Sequence, residues 1–436
     1  MFLQKLKKIF NNNSNSKVVK NGAWIIVLQI FNMVAPLITL PYITRILSSS
    51  DYGEFSISLN WIGYLQVLVE YGFTLTGAQK IAVCEDNPIK RSVVRNNILF
   101  AQLFLLLPCF MILLALFAFA PIENVQIFCM SILFLCVISV AFQQNWFFQG
   151  ISEMQNITLI NVVSRSVSVA LIFLLVKEPN DLYLYCLLYS STFVIASISG
   201  CLIVWKKYKL FFTKPRLKNV LFEIKDGWSL FISSFMTKIF SNVGVTILGF
   251  IALKEEVGAY AAIYKIPFVV TLLFLAVSQA IYPQVCKQFK KDLFVVGEKK
   301  VRKVAFPVCF FFLLCCIGMI AMRKTIVEVS FGMSYGSYSD LLIPFGVWCF
   351  LGIVNNFLGI QTLVASGYKR LYSISFSICV VISLILMITC GTHIGMMGIA
   401  VGSMLGELCL TLLLYYNISR VRKETYNEKS NACFRD

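Results

Sequence analysis

The sequence predicts an all-α integral membrane protein with about twelve transmembrane helices in two six-helix bundles. Hydrophobic residues make up 58% of the 436 residues and charged residues only 14%, a balance that excludes a soluble globular chain. Apolar runs of about 20 residues recur along the chain, and each is long enough to cross a hydrocarbon core of about 30 Å. Lys and Arg are concentrated in alternate connections between these runs, which is typical of multi-pass membrane proteins.

The distribution of basic residues predicts the orientation and the organisation of the chain. If the N-terminus is cytoplasmic, the cytoplasmic segments hold thirty Lys and Arg residues and the outer segments five, so both termini are predicted to lie in the cytoplasm. The predicted spans are 21–44, 54–77, 96–119, 125–148, 157–177, 182–205, 227–251, 258–282, 303–322, 340–364, 371–391 and 395–418. The predicted organisation is a basic tail (1–20), an N-terminal six-helix bundle (21–205), a basic cytoplasmic linker (206–226), a C-terminal six-helix bundle (227–418) and a cytoplasmic tail (419–436).

Several other functions are disfavoured by the same composition. The net charge of +17 comes from short loops between apolar runs, so it indicates topology and not a nucleic-acid partner. Most of the 15 cysteines lie inside apolar runs as packing residues, and a single histidine, His393, leaves no metal site of the His/Cys kind. Gly72 and Gly77 have the spacing of a phosphate loop, but Ala78 and Gln79 replace its Lys-Ser/Thr. We therefore expect no cofactor, no metal and no ATP hydrolysis.

Short motifs in both halves resemble those of the bacterial flippases that translocate polysaccharide repeat units. In the first half these are Leu40-Pro41-Tyr42-Ile43-Thr44-Arg45-Ile46-Leu47, Asp51-Tyr52-Gly53 and Glu70-Tyr71-Gly72-Phe73. In the second half they are Leu248-Gly249, Val257-Gly258-Ala259-Tyr260, Ala262-Ile263-Tyr264-Lys265 and Ala280-Ile281-Tyr282-Pro283. The chain departs from the family at Ser48, where Gly is frequent, and at Lys80, where Arg is common.

The resemblance covers essentially the whole chain and implies both a fold and a function. The family looks related to multidrug exporters of the MATE kind and to the lipid II flippase, so it implies a MATE-like fold. It implies translocation of undecaprenyl-pyrophosphate-linked oligosaccharides across the bacterial inner membrane, for O-antigen or capsule. We expect the mechanism to be alternating access, driven by an ion gradient or by downstream consumption of the substrate. The implied partners are that lipid-linked oligosaccharide, the bilayer, the polysaccharide polymerase and the chain-length machinery, with no nucleic acid.

Three cations inside the predicted spans are candidates to hold an anionic cargo: Arg165, Lys238 and Lys265. A cation at this depth costs at least about 2.5–3.5 kcal/mol and usually has a partner, an aqueous cavity or a function. Asn161 lies one turn before Arg165 and Asn242 one turn after Lys238, so each cation belongs to a polar stripe that we expect to face a cavity. Asn32 is a further polar candidate of that cavity. The structural alternative to a binding role is that these cations form internal ion pairs, or that the Lys265 side chain extends to the membrane surface.

Two acids and two prolines complete the predicted site. Glu70 and Glu407 are the acids placed well within spans, where they could couple transport to protons or act as counter-ions of Arg165 and Lys238. Asn355, Asn356 and Gln361 are amides that could bind sugar hydroxyls or join helices. Pro36 and Pro41 interrupt the first span and predict either a hinge or a static kink.

Two other kinds of protein fit the hydropathy. A MATE-type small-molecule exporter has the same helix count, but three buried bases against two buried acids favour an anionic cargo over a cationic drug. A membrane polysaccharide polymerase or glycosyltransferase would need a large outer loop and an acidic or His-Asp catalytic set, and the sequence shows neither. The prediction is therefore a transporter without catalytic residues.

Overall fold

The computed structural model describes residues 13–84, 87–120, 122–208, 210–291 and 294–433, and all regular structure in these ranges is helical. A helix satisfies its backbone hydrogen bonds internally, which hydrocarbon requires. The chain divides into two compact units, Met1–Asn242 and Val243–Asp436. This division falls inside a helix and not in the predicted linker at 206–226, where residues 210–216 are the described non-helical stretch. The division into two six-helix bundles stays a prediction.

The first unit contains eight complete helices and most of a ninth among its described residues. They are α1 (Asn13–Ile46), α2 (Ser49–Glu70), α3 (Phe73–Val83), α4 (Pro88–Phe119), α5 (Asn124–Gln143), α6 (Asn145–Gly150), α7 (Met154–Leu175), α8 (Leu182–Tyr208) and α9 (Leu217–Ile251). Helix α5 packs against both α2 and α8, while α7 packs against α1 and α8. Side chains define the starts of two helices: Ser48 accepts a bond from the Asp51 amide, and Asn87 accepts bonds from the amides of Ile89 and Lys90.

Two of the predicted spans in this unit are broken. The span at 54–77 is interrupted because Tyr71 and Gly72 have φ angles of 50° and 92°, so α2 ends at Glu70 and α3 starts at Phe73. The span at 125–148 is interrupted at Gln144, which has a φ of 52°, and it resumes at Asn145, so that Asn124–Gly150 is together long and apolar enough to cross a membrane. Apolar residues flank both breaks, which is why hydropathy alone did not reveal them.

The first break is fixed by contacts with α9. Tyr71 stacks on Phe231 with ring centroids 4.6 Å apart, and a Cβ at Gly72 would lie 2.7 Å from the Cβ of Leu230. The predicted seventh span therefore begins as part of the first unit, although the sequence assigned it to the C-terminal bundle.

The second unit contains α10 (Lys254–Ile263), α11 (Lys265–Lys291), α12 (Phe294–Ala321), α13 (Arg323–Phe331), a 3₁₀ helix (Met333–Leu341), α14 (Leu342–Asn355), a π-helix (Asn356–Val364) and α15 (Lys369–Cys433). The predicted span at 258–282 is divided at Tyr264, between α10 and α11. Helix α14 packs against α11, α12 and α15. The predicted span at 340–364 therefore exists, but its second half has π geometry.

Helix α15 is a hairpin of two antiparallel arms. Gly395 has non-helical angles, with φ 61° and ψ −139°. A Cβ at Gly402 would lie 2.7 Å from the Cα of Met387, and Asn417 donates to the hydroxyl of Ser375 at 2.8 Å. Residues before Gly395 therefore pair with residues after it in antiparallel order, as expected for the predicted spans 371–391 and 395–418.

Nine helices in the described part of the chain are long and apolar enough to cross a membrane, or ten if the bent pair Leu217–Ile239 and Ser241–Ile251 counts as one span. The α15 hairpin enters this number as a single helix. The protein is thus an all-α, multi-pass membrane protein, and the number twelve stays a prediction.

Replacing Gly402 by Leu should destabilise the α15 hairpin, because the new side chain would meet the backbone at Met387, 2.7 Å from its Cβ. Forcing extra carbons into a packed contact costs about 1–3 kcal/mol. Thermal unfolding of the purified protein in detergent should show a lower midpoint. Gly318→Leu is the matched control, since nothing lies within 4 Å of a Cβ at Gly318. Equal midpoints for the two variants would contradict the packing.

Candidate functional site

Arg165 and Asn32 form the first polar pair of the candidate site. Arg165 on α7 donates from Nη1 to Oδ1 of Asn32 on α1 at 2.9 Å. Asn161, one turn before Arg165, accepts a bond from Gln143 at 3.3 Å and donates to the Ile157 carbonyl at 2.8 Å. The predicted stripe is thus present, but Asn161 joins α7 to the end of α5 and only Arg165 reaches Asn32.

An aromatic cluster lies within electrostatic range of Arg165. The Phe55 ring is 4.6 Å from that of Tyr185 and 5.3 Å from that of Tyr189 between centroids. Both tyrosines interact electrostatically with Arg165. This part of the first unit therefore combines a guanidinium, an amide and flat aromatic faces.

Lys238 and Glu70 form the second group. Their charges attract one another, yet no ion pair of 4.0 Å or less joins them. A Cβ at Gly63 would lie 3.0 Å from the Lys238 ammonium, so the absence of a side chain at Gly63 makes room for that cation. Asn242 donates to the Lys238 carbonyl at 3.0 Å. Among the described residues, no contact joins Lys238 to Arg165, so the first unit holds two separate cationic groups.

Lys80, assigned to a loop by the sequence, is the centre of an ion-pair cluster. Its ammonium lies 2.6 Å from a Glu223 oxygen and 2.8 Å from an Asp226 oxygen. Burial acts to lower the pKa of Lys80, but the hydrogen bonds to Asp226 and Glu223 outweigh it and raise the pKa above its ordinary value. The cluster ties α3 to the start of α9.

Glu407 in the second unit has an amide partner. Asn355 donates from Nδ2 to the Glu407 carboxylate at 2.6 Å and to the Glu407 carbonyl at 3.0 Å. Asn355 is the last residue before the π-helix, a geometry that often marks functional sites. The neighbouring amides join helices: Ser278 donates to Asn356 at 2.7 Å, and Gln361 donates to the Ser278 carbonyl at 2.9 Å. These contacts are those expected of amides that join helices.

The remaining candidates occupy defined places. Lys265 is the first residue of α11, directly after the break at Tyr264, and it is half-buried. Pro36 and Pro41 both lie inside α1, which continues as one helix from Asn13 to Ile46. Their role as a hinge stays a prediction. Within the described part of the chain, no group of three or more His, Cys, Asp or Glu side chains could hold a metal ion.

Two charged residues were missed because their helices begin earlier than predicted. Glu54 lies inside α2 and is only 4% exposed, whereas the sequence placed it at the edge of a span. Arg95 was counted as a loop residue, but α4 begins at Pro88 and contains it. The capping residues Ser48 and Asn87 with Pro88 were the sequence signals for these earlier starts.

The chain is similar to known proteins over most of its length. The family model described as "Polysaccharide biosynthesis protein" matches residues 18–288. A curated Escherichia coli (strain K12) protein named "Putative O-antigen transporter" is 26% identical over 406 residues, covering 92% of this chain and 97% of that protein.

Two solved structures share the fold at low sequence identity. The lipid II flippase MurJ in an inward closed conformation has a TM-score of 0.68 at 14% identity, covering 92% of this chain and 87% of that one. An inward-facing MATE family multidrug transporter of the MOP superfamily has a TM-score of 0.62 at 14% identity, covering 90% and 99%. The fold is therefore MATE-like.

Glu407→Leu should destabilise the second unit, whereas Glu407→Gln should have a smaller effect. Leucine removes the side-chain acceptor of the Asn355 amide and leaves it only the backbone carbonyl of residue 407, at a cost of about 1–3 kcal/mol, while glutamine keeps an acceptor oxygen. Detergent unfolding midpoints of the two variants test this. Equal losses for both would show that the negative charge, and not the hydrogen bond, is the stabilising feature.

Proposed function

Because the chain belongs to the polysaccharide biosynthesis protein family, we propose that it is a flippase for undecaprenyl-pyrophosphate-linked oligosaccharide repeat units of O-antigen or capsule. It moves them from the cytoplasmic to the periplasmic leaflet of the bacterial inner membrane. The observation that carries the proposal is the match over nearly the full length of both chains to a relative named as an O-antigen transporter. The fold shared with the lipid II flippase is consistent with a lipid-linked cargo.

The Arg165 group is the proposed site for the anionic headgroup and the first sugars. A guanidinium has five N–H donors in a planar fork that fits phosphate oxygens, and the described contacts of Arg165 use Nη1 for Asn32. Tyr189, which is half-buried and packs edge-on against Phe55, is the proposed aromatic surface for a sugar ring. This combination suits a cargo with a pyrophosphate at one end and sugars next to it.

Lys238 is the proposed second anchor, because Glu70 attracts it without closing an ion pair. Because the Lys238 ammonium forms no ion pair with Glu70, it keeps N–H donors for an incoming anion. Lys265, at the start of α11, is a proposed third cation of the pathway, and Asn161 and Asn242 are proposed polar lining. Transport follows alternating access, with the polyprenyl tail in lipid and Pro36 and Pro41 as the hinge of α1.

Ion coupling is assigned to Glu70 and Glu407. Glu70 is the last residue of α2, within the predicted span 54–77, and Glu407 lies in the second arm of the membrane-spanning hairpin α15. A carboxylate that gains and loses a proton during the cycle would link transport to the proton gradient. Both termini lie in the cytoplasm in this proposal, and the translocated units pass to the polymerase and the chain-length machinery.

A MATE-type small-molecule exporter is the second candidate, favoured by the shared fold alone. The two differ in the charge of the cargo. The absence of a closed ion pair at Lys238 and the guanidinium of Arg165 favour an anion, whereas a cationic drug would be repelled by both. Unchanged drug susceptibility in a deletion strain that loses its surface polysaccharide would separate them.

The double variant Arg165→Ala/Lys238→Ala should abolish flipping. Each substitution removes charge-assisted hydrogen bonds to the headgroup, so we expect surface polysaccharide to fall by more than about tenfold. Complete repeat units should accumulate where an external sugar-modifying enzyme cannot reach them. The measurement is polysaccharide yield and enzyme accessibility in a deletion strain carrying each variant at equal expression.

The charge-preserving variant Arg165→Lys/Lys238→Arg and the surface variant Lys299→Ala are the controls for that experiment. Lys299 is exposed, and it is far from both Arg165 and Lys238 in the sequence. The first should retain partial transport and the second full transport. Normal polysaccharide in the double alanine variant would remove both residues from the site, and outward-facing but unpolymerised units would indicate a function after translocation.

Glu70→Gln and Glu407→Gln should each weaken the dependence of transport on the proton gradient, because an amide cannot exchange the proton. Flipping in proteoliposomes with and without an imposed pH difference measures this. Wild-type stimulation by the gradient in both variants would exclude the two acids as coupling groups while leaving the cargo assignment intact.

A further inference from the structure

A cavity of about 670 Å³ lies in the first unit, where the start of α4 meets the end of α8 and the non-helical residues after it. Arg95, Cys201, Trp205 and the segment Leu210–Phe212 line it. Neither Arg165 nor Lys238 is among its lining residues, so it is separate from the groups assigned to the cargo.

Arg95 is the cation of this cavity, and neutral groups hold it. Its Nε donates to Oε1 of Gln144 at 2.8 Å, and its Nη1 lies 3.4 Å from Oδ1 of Asn96. No carboxylate among the described residues forms an ion pair with Arg95, and its Nη2 makes no hydrogen bond to them. The side chain is half-buried. A half-buried guanidinium with only neutral partners among the described residues can bind an anion.

Gln144 is built into this arrangement by the backbone. The φ angle of Gln144 is 52°, which is unusual for a residue other than glycine. Helix α5 therefore ends directly before it, at Gln143. The same side chain donates from Nε2 to the sulfur of Cys201 at 3.1 Å. Gln144 thus connects two lining residues, Arg95 and Cys201, and fixes the direction of the guanidinium.

The non-helical wall of the cavity is also held in place. Asn96 donates to the Phe211 carbonyl at 3.0 Å and to the Thr213 hydroxyl at 2.8 Å. Ser92 accepts a bond from the Phe211 amide at 3.3 Å. Two residues on successive turns of α4 therefore bond the segment that carries Phe211 and Phe212, and the cavity is a fixed feature of the first unit.

The rim of the cavity is apolar and aromatic. Trp205 is 65% exposed and Phe212 is 68% exposed on the protein surface. The Phe212 ring contacts that of Phe100 with centroids 5.8 Å apart, so its orientation is defined. Exposed aromatic side chains of this kind are typical of the membrane–water interface. Lys206, which follows Trp205 in the chain, is exposed, and Lys207 is ion-paired with Glu153 at 2.6 Å.

We propose that this cavity binds the headgroup of an anionic phospholipid, with the phosphate on Arg95 and the acyl chains against Trp205 and Phe212. The ligand class follows from the combination of an apolar aromatic rim with one guanidinium whose partners, in the part of the chain that the structure describes, are neutral. A free phosphate would gain nothing from the rim, and an apolar ligand would leave Arg95 without its anion. Interfacial basic pockets between transmembrane helices recognise lipid headgroups in this way. The proposal holds whether or not the chain is a flippase.

The test is lipid retention by the purified full-length protein, measured by native mass spectrometry after delipidation and addition of phosphatidylglycerol or phosphatidylcholine. The wild type should retain phosphatidylglycerol in preference to phosphatidylcholine. Arg95→Gln should lower phosphatidylglycerol affinity at least about tenfold, because a charge-assisted hydrogen bond is lost. Arg95→Lys should retain part of the preference. Lys214→Gln, a nearby exposed cation outside the lining, should behave as the wild type.

Phe212→Ala is a second variant that leaves Arg95 and its partners in place. Because Phe212 is exposed, this change should fold normally while lowering retention of long-chain phosphatidylglycerol more than that of a short-chain form. It keeps the proposal testable if Arg95→Gln fails to fold.

Four results would overturn the proposal. They are equal retention of the two phospholipids by the wild type, unchanged phosphatidylglycerol affinity in Arg95→Gln or in Phe212→Ala, displacement of the lipid by inorganic phosphate at comparable concentration, and selective displacement by undecaprenyl phosphate. The third would identify a free-phosphate site, and the fourth would identify an entry point for the polyprenyl cargo.

Discussion

The requirement that a backbone in hydrocarbon satisfy its own hydrogen bonds is the constraint on which the rest of this structure depends. It makes every described regular element a helix, and it makes each interruption of a helix costly unless side chains or close packing compensate. Tyr71 and Gly72 show the compensation at one break, where the chain is packed against α9 by ring stacking and by the absence of a side chain at Gly72. A break in a helix therefore requires particular residues, such as a stacking ring or a glycine, at that position in the sequence.

Charged and amide groups collect at these breaks. Glu70 is the last residue of α2, directly before the break at Tyr71. Gln144 forms the break after α5 and holds Arg95. Lys265 starts α11 after Tyr264, and Asn355 precedes the π-helix and bonds Glu407. The association has a physical reason, because an interrupted helix leaves backbone groups and space that polar side chains can use.

The polar groups differ in how completely their partners satisfy them. Lys80 lies between two carboxylates, so it is a structural cation that ties α3 to α9. Lys238 is only attracted by Glu70, and Arg95 has neutral partners among the described residues. Removing an ion-paired lysine would mainly affect stability, whereas the incompletely paired cations are the ones with capacity for an anionic ligand. This difference separates the binding proposals from the structural contacts.

The sequence by itself determined the fold class and the membrane location, because apolar runs of spanning length and the asymmetry of basic residues are local properties of the chain. The family was indicated by the resemblance of short motifs such as Asp51-Tyr52-Gly53. It also selected Arg165, Lys238, Glu70 and Glu407 as charges within the predicted spans, since hydropathy shows which charges interrupt apolar runs. Only the tertiary structure decided which of these charges have partners: Arg165 meets Asn32 from a helix 133 positions away, and Glu407 meets Asn355 at a separation of 52. It also decided that Arg95 lies inside a helix and lines a cavity, because the break at Gln144 and the bonds from Asn96 depend on contacts between distant segments that no local pattern records.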